Sequence, residues 1–137
     1  FYQDGADIRK KGALNGYDVY CKEGITWTAL TSAKNSFRFT PVGHTFDSNK
    51  GPLIPKDDHN DIFYLLGFLT TPVAQTIIKI LNPTISLQNG DIDNLPIYIN
   101  PKSQETVDSI VKNNISLSQK DWDSYETSWD FKKHPLV

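Results

Sequence analysis

Hydrophobic positions are most closely spaced in residues 61–99, and the rest of the chain reads as attached to either end of that stretch. Ile62, Phe63, Leu65, Leu66, Phe68 and Leu69 recur as on a largely buried helix, with Asp57, Asp58 and Asp61 at the positive end of its dipole. Thr71-Pro72 marks a restart, because a hydroxyl can cap free amides and the fixed φ of proline suits the first helical position. The second helix places Val73, Ala74, Ile77, Ile78 and Leu81 on one predicted face and stops at Asn82-Pro83. Residues 85–87 then predict a short strand, and residues 90–97 a tight polar turn followed by a second extended segment.

Upstream, the period changes from helical to alternating. Residues 1–16 read as a flexible basic loop and a turn, and Tyr17, Val19 and Cys21 then share one face of a predicted strand, with Cys21 as a small core residue. A second strand is predicted over residues 25–30, with Thr26 and Thr28 opposite Ile25, Trp27 and Ala29. A third covers residues 36–40, where Phe37 and Phe39 oppose Arg38. A turn at residues 41–43 leads past Phe46 into a loop over residues 48–56 with an apolar stop at Leu53-Ile54. Downstream, Asn100-Pro101 opens an amphipathic helix with Val107, Ile110 and Val111 on one face, ending near Asn113-Asn114, and a last helix starts at Ser118. Strands followed by helices predict an α+β fold: short antiparallel strands in the N-terminal half, a helical pair plus a short strand at the centre, and a helical C-terminal tail. The division is a core over residues 1–100 and an aromatic, acidic extension over residues 101–137.

The length of 137 residues supports one hydrophobic core, and an apolar fraction of 38% with 22% charged residues excludes a disordered or collagen-like chain. Apolar runs break well before membrane-spanning length, so no membrane partner is expected. The start at Phe1-Tyr2-Gln3-Asp4, with no methionine anywhere, suggests a piece of a longer protein. A single cysteine cannot form an internal disulfide, and a reducing cytoplasm is the expected location. The net charge of -2 is unevenly spread: residues 1–56 hold eight basic against five acidic side chains, and the remainder six against eleven. A basic front permits nucleic-acid contact, although ordinary solvated surface accounts for the same distribution.

Catalytic chemistry is not found in the sequence. His44, His59 and His134 lack ligand spacing, no serine elbow or phosphate-cradling glycine loop is present, and Asp91 with Asp93 fits turn chemistry better than a cation loop. Asn82-Pro83 supplies only part of the motif with which adenine methyltransferases hold a target base, and reads as a helix stop. A binding surface remains: Tyr20, Trp27, Phe37 and Phe39 interleave with Lys22, Thr26, Thr28, Lys34, Asn35, Arg38 and Lys50, where cations could meet phosphates and Arg38, Asn35 or the threonines could reach base edges. Arg9, Lys10 and Lys11 would form a phosphate-contacting arm. In the tail, Trp122, Tyr125, Trp129 and Phe131 alternate with Asp121, Asp123, Glu126 and Asp130, either as a helix face on the chain's own core or as a docking segment for another domain.

Residues 23–28 (EGITWT), Phe37-Arg38-Phe39 with Pro41, Gly43, Phe46 and Asp47, residues 65–97 (LLGFLTTPVAQTIIKILNPTISLQNGDIDNLPI) and residues 121–136 (DWDSYETSWDFKKHPL) carry a resemblance. In order, they resemble the C-terminal half of large adenine-specific DNA methyltransferases of the PglX type found in bacteriophage-exclusion (BREX) systems. Type IIG restriction-modification enzymes have related layouts. The Thr-Pro restart and the Gly-Asp-Ile-x-x-Leu-Pro ending are also similar to the recognition domains of type I specificity subunits. The similarity spans roughly residues 17–136. In such enzymes a separate catalytic domain binds S-adenosylmethionine and carries an Asn-Pro-Pro-Tyr motif, while the recognition part reads DNA. The resemblance therefore implies a non-catalytic recognition segment with no cofactor of its own, whose partners are double-stranded DNA and the catalytic domain of the same parent chain.

Overall fold

The computed structural model describes residues 20–28, 30–45, 53–54, 62–134 and 136. Arg9, Lys10, Lys11, Lys50, Phe46, residues 17–19 of the first predicted strand, Ala29 and the acidic trio Asp57, Asp58 and Asp61 lie outside them. The fold is α+β. Among the described residues it consists of β1 (Gly24–Trp27), β2 (Phe37–Thr40), α1 (Ile62–Leu69), α2 (Pro72–Leu81), α3 (Asn89–Asp93) and α4 (Gln104–Trp122). The chain divides into two compact units, Phe1–Ile97 and Tyr98–Val137.

In the first unit, β1 and β2 form an antiparallel ribbon with Ile25 opposite Phe39, Thr26 opposite Arg38 and Trp27 opposite Phe37. Strand alternation then decides the faces: Ile25, Trp27 and Phe37 are buried, while Thr26, Thr28 and Arg38 are half-buried or exposed on the other side. The apolar face packs on α1, where the Phe39 and Phe63 rings stack with centroids 5.4 Å apart. Leu53, predicted within a loop, exchanges both backbone hydrogen bonds with Ile25 and so extends the pairing on the outer side of β1. The short strand predicted over residues 85–87 is reduced to one bridge, Ser86 with Leu30, supported by Thr31 N–H donating to the Ile85 carbonyl.

The restart at Thr71-Pro72 forms as the residue types require. Thr71 is the N-cap of α2, its hydroxyl accepting from Ala74 N–H at 3.2 Å, and Pro72 follows it at the first turn; the axes of α1 and α2 bend by 74° there. Asn82 ends α2 as predicted. The buried face differs from expectation: Ala74, Gln75 and Ile78 are buried, whereas Val73 and Leu81 are largely exposed. Apolar residues cover more than half the circumference of this helix, and tertiary packing on α1 and α3 selects which part is enclosed.

Further expectations are corrected. Residues 20–22 form a turn, with Cys21 exposed and at φ 63°, because its N–H donates to the His44 carbonyl and its carbonyl accepts from Gly43 N–H; it is not a core residue of a strand. Residues 89–93 form α3 where a tight turn was expected, with Asp91 Oδ2 accepting from the N–H of the N-cap residue Gln88 at 2.8 Å and Ile92 buried beneath the turn. In the second unit α4 runs unbroken through Asn113-Asn114 and Ser118, so the two predicted helices are one; neither asparagine removes a backbone donor as proline would. Asn100 builds a turn ahead of it, its side chain accepting from Lys102 N–H, and Ser103 is the N-cap. Beyond Trp122 the aromatic tail forms successive turns and not a helix face.

Candidate nucleic-acid interface

The polar side of the β1–β2 ribbon brings three of the predicted contact residues together. Thr26 and Thr40 hydroxyls lie 3.0 Å apart across the strands, and one residue pair further Thr28 and Ser36 hydroxyls lie 2.9 Å apart. Arg38, between these pairs on β2, donates from Nη2 to Thr28 Oγ1 and Ser36 Oγ, each at 3.3 Å. Among the described residues, the hydrogen-bond partners of the Arg38 side chain are these two hydroxyls, so its charge is not spent on a carboxylate there. Ser36 and Thr40 were not among the predicted contact residues. Their signal was available in the alternation, because a residue pair flanking Arg38 on the same strand must share its face.

Lys22 is exposed in the turn before β1, and Lys34 is exposed in the loop between β1 and β2. Asn35 is half-buried and fixed through its backbone: its N–H donates to Gln75 Oε1 and its carbonyl accepts from Gln75 Nε2, both at 3.2 Å. Gln75 also donates to the Leu69 carbonyl at 3.0 Å, so one buried side chain of α2 holds the loop against the helix pair. A surface cleft of about 330 Å³ opens beside this loop, with Ser32, Asn35, Lys79 and Thr84 among its lining residues. Lys79 is a second cation near Asn35 that was not predicted, its helical position giving no hint of the loop opposite.

Asn82, weighed in the sequence as a fragment of a base-holding motif, is engaged locally at both ends of its amide. Nδ2 donates to the Ser86 carbonyl at 2.8 Å and to Asp91 Oδ2 at 2.5 Å, while Oδ1 accepts from Thr84 N–H and hydroxyl. It is a helix stop that ties α2 to α3. Among the described residues no cluster of three histidine, cysteine or acidic side chains could hold a metal ion.

The second unit displays aromatic surface. Trp122 and Tyr125 are more than half exposed and Trp129 is fully exposed, with Phe131 half-buried. The turns carrying them are pinned by Ser128, which is buried, donates to Asp123 Oδ1 at 2.7 Å and accepts from Asp130 N–H. The rings do not share one helix face, since Trp122 closes α4 whereas Tyr125 and Trp129 sit in the turns beyond it. A serine, not an aromatic residue, occupies the enclosed position, and Ser128 was missed because its role depends on a turn that has no periodic signature.

Over 139 aligned residues the chain is 29% identical to the adenine-specific methyltransferase BrxX of Escherichia coli O9:H4 (strain HS), a match that takes in 100% of the chain. Over 135 residues, 94% of the chain, it is 34% identical to the adenine-specific methyltransferase PglX of Lacticaseibacillus casei (strain Zhang). This chain corresponds to a segment of PglX-type proteins. The PglX-type segment spans 11% of the length of each of these relatives. No family model matches it. Among its described residues no single helix is long and apolar enough to cross a membrane.

Proposed function

We propose that this segment is a non-catalytic DNA target-recognition element of an adenine-specific, S-adenosylmethionine-dependent DNA methyltransferase in a phage-defence or restriction-modification system. The observation that carries this reading is the β1–β2 ribbon, with one apolar face seated on α1 and the other carrying Thr26, Thr28, Ser36, Arg38 and Thr40. A two-stranded ribbon fits the major groove, and a threonine–arginine face offers both phosphate and base-edge contacts. Its reach is short. Thr26 to Thr28 is about 6.8 Å of extended strand, or about two base-pair steps at 3.4 Å each, so the flanking loops with Lys22 and Lys34 would supply the rest of the contact. S-adenosylmethionine and the chemistry of methyl transfer are assigned to the catalytic domain of the parent chain, which is also the expected protein partner. The proposed location is the bacterial cytoplasm.

Duplex binding by the 137-residue chain is expected to be weak and to fall steeply as salt rises, the mark of phosphate neutralisation. Reversing charge at Arg38 and Lys34 together (R38E, K34E) should lower affinity at least about tenfold and flatten the salt slope by at least about one phosphate contact, that of Lys34, measured by fluorescence anisotropy. Unchanged binding by that variant would refute this placement of the surface.

The exposed aromatics of the tail favour a second role, docking to another domain or subunit, because rings left in water with acidic neighbours suit a cationic protein surface. Replacing Trp122, Tyr125 and Trp129 with alanine is expected to weaken association with the separately expressed catalytic region at least about tenfold in calorimetry. Duplex binding should stay the same; if DNA affinity falls instead, the tail belongs to the nucleic-acid surface.

A further inference from the structure

We infer that Arg38 selects a guanine, with Thr28 and Ser36 as the residues that position it, a step that rests on the DNA-recognition reading above. The geometry begins with the hydroxyl pair. Thr28 Oγ1 and Ser36 Oγ are 2.9 Å apart and each is 3.3 Å from Arg38 Nη2, so one Nη2 hydrogen points between them as a bifurcated donor. Nη2 carries two hydrogens. Whichever one is used, the other still lies parallel to a neighbouring donor, on Nη1 or on Nε, and an intact two-pronged fork remains. That fork sits on an exposed residue of the ribbon's polar face, with no carboxylate partner among the described residues.

The chemistry of the bases then decides the ligand. In the major groove guanine presents two adjacent acceptors, N7 and O6, whereas adenine presents N7 beside an amino donor that a guanidinium cannot accept from. Cytosine and thymine each offer one polar group there. A tethered fork with only donors therefore discriminates for guanine, while the neighbouring Thr26 and Thr40 hydroxyls, able both to donate and accept, tolerate any base. The tether matters because an untethered arginine on a strand sweeps many rotamers and finds phosphates as readily as bases. Holding one nitrogen on the sheet limits that sweep and aims the fork away from it.

The test uses the 137-residue chain and a pool of duplexes randomised over a short central window, with bound molecules sequenced after selection at low salt. The wild-type chain should enrich guanine at one position by about ten- to a hundred-fold over the other bases. R38K keeps the charge and removes the fork, so it should retain overall affinity within about threefold and lose the preference. The Thr28→Val, Ser36→Ala pair removes the tether and should leave an intermediate preference with Arg38 intact. Equal guanine enrichment by wild type and R38K, or no guanine enrichment by wild type despite salt-sensitive binding, would overturn the assignment of Arg38 and leave DNA recognition standing. Absence of any duplex binding would overturn both.

Discussion

Replacing Trp27 with alanine is expected to lower the stability of the first unit by about 3–5 kcal/mol, seen as a fall in the urea midpoint at unchanged slope. Two contributions combine in that figure. The indole is 7% exposed on the apolar face of the ribbon, so truncation removes a large buried surface and leaves a cavity among rigid neighbours. Its Nε1–H also donates to the Leu87 carbonyl at 3.2 Å, sixty residues along the chain, which fastens β1 to the segment between α2 and α3. A Trp27→Phe variant separates the two: most of the apolar surface survives, the Leu87 carbonyl loses its partner, and a loss of about 1–3 kcal/mol is expected. Alanine costing no more than phenylalanine would mean that the ring is not seated as described. Because the same ribbon carries Arg38 on its opposite face, the alanine variant should also weaken any duplex binding, and the phenylalanine variant should restore most of it.

What could be read in the sequence was what depends on near neighbours. Thr71 and Pro72 determine a helix start by themselves, and the alternation of Phe37, Arg38 and Phe39 determines a face by itself, so both predictions agree with the structure. Asn82-Pro83 ends α2 for the same local reason. The failures share a different cause. The apolar arc of α2 is wide enough for two choices of buried face, and only packing against α1 and α3 decides against Val73 and Leu81. Asn113-Asn114 looked like a boundary, yet asparagine only weakens a helix, and α4 continues through both residues and through Ser118. Cys21 follows the alternation of a strand, but two backbone bonds to residues 43–44 hold it in a left-handed turn, a constraint set more than twenty residues away. Within the candidate interface, Thr26, Thr28 and Arg38 were legible from period alone. Their mutual hydrogen bonding was not, because it needs the register of two strands.

Gln75→Leu is expected to cost about 2–4 kcal/mol although it makes α2 more apolar and keeps a similar side-chain volume. On pattern alone this substitution looks favourable, since position 75 is 9% exposed beside Ala74 and Ile78. The glutamine amide, however, makes three bonds to main-chain groups: it accepts from Asn35 N–H and donates to the carbonyls of Asn35 and Leu69. Leucine satisfies none of them. Leaving an enclosed peptide group without a partner costs about 1–3 kcal/mol, and three such groups, partly relieved by water at the half-buried Asn35, give the range above. Glutamate is the sharper control. It is isosteric and keeps one acceptor for Asn35 N–H, but it turns a carboxylate toward two carbonyl oxygens in place of an amide donor, so its cost should equal or exceed that of leucine. The functional consequence follows from which loop is held. Asn35 adjoins Lys34 and leads through Ser36 into β2, so releasing it loosens the approach to the Thr28–Ser36–Arg38 cluster while Trp27 and the ribbon stay seated. Measured at a temperature where Gln75→Leu remains folded, amide exchange at Asn35 should quicken by more than that of Ile25 or Phe39, and guanine preference should fall more than total duplex affinity. Uniform quickening across the unit would show instead that Gln75 supports the whole core rather than this loop.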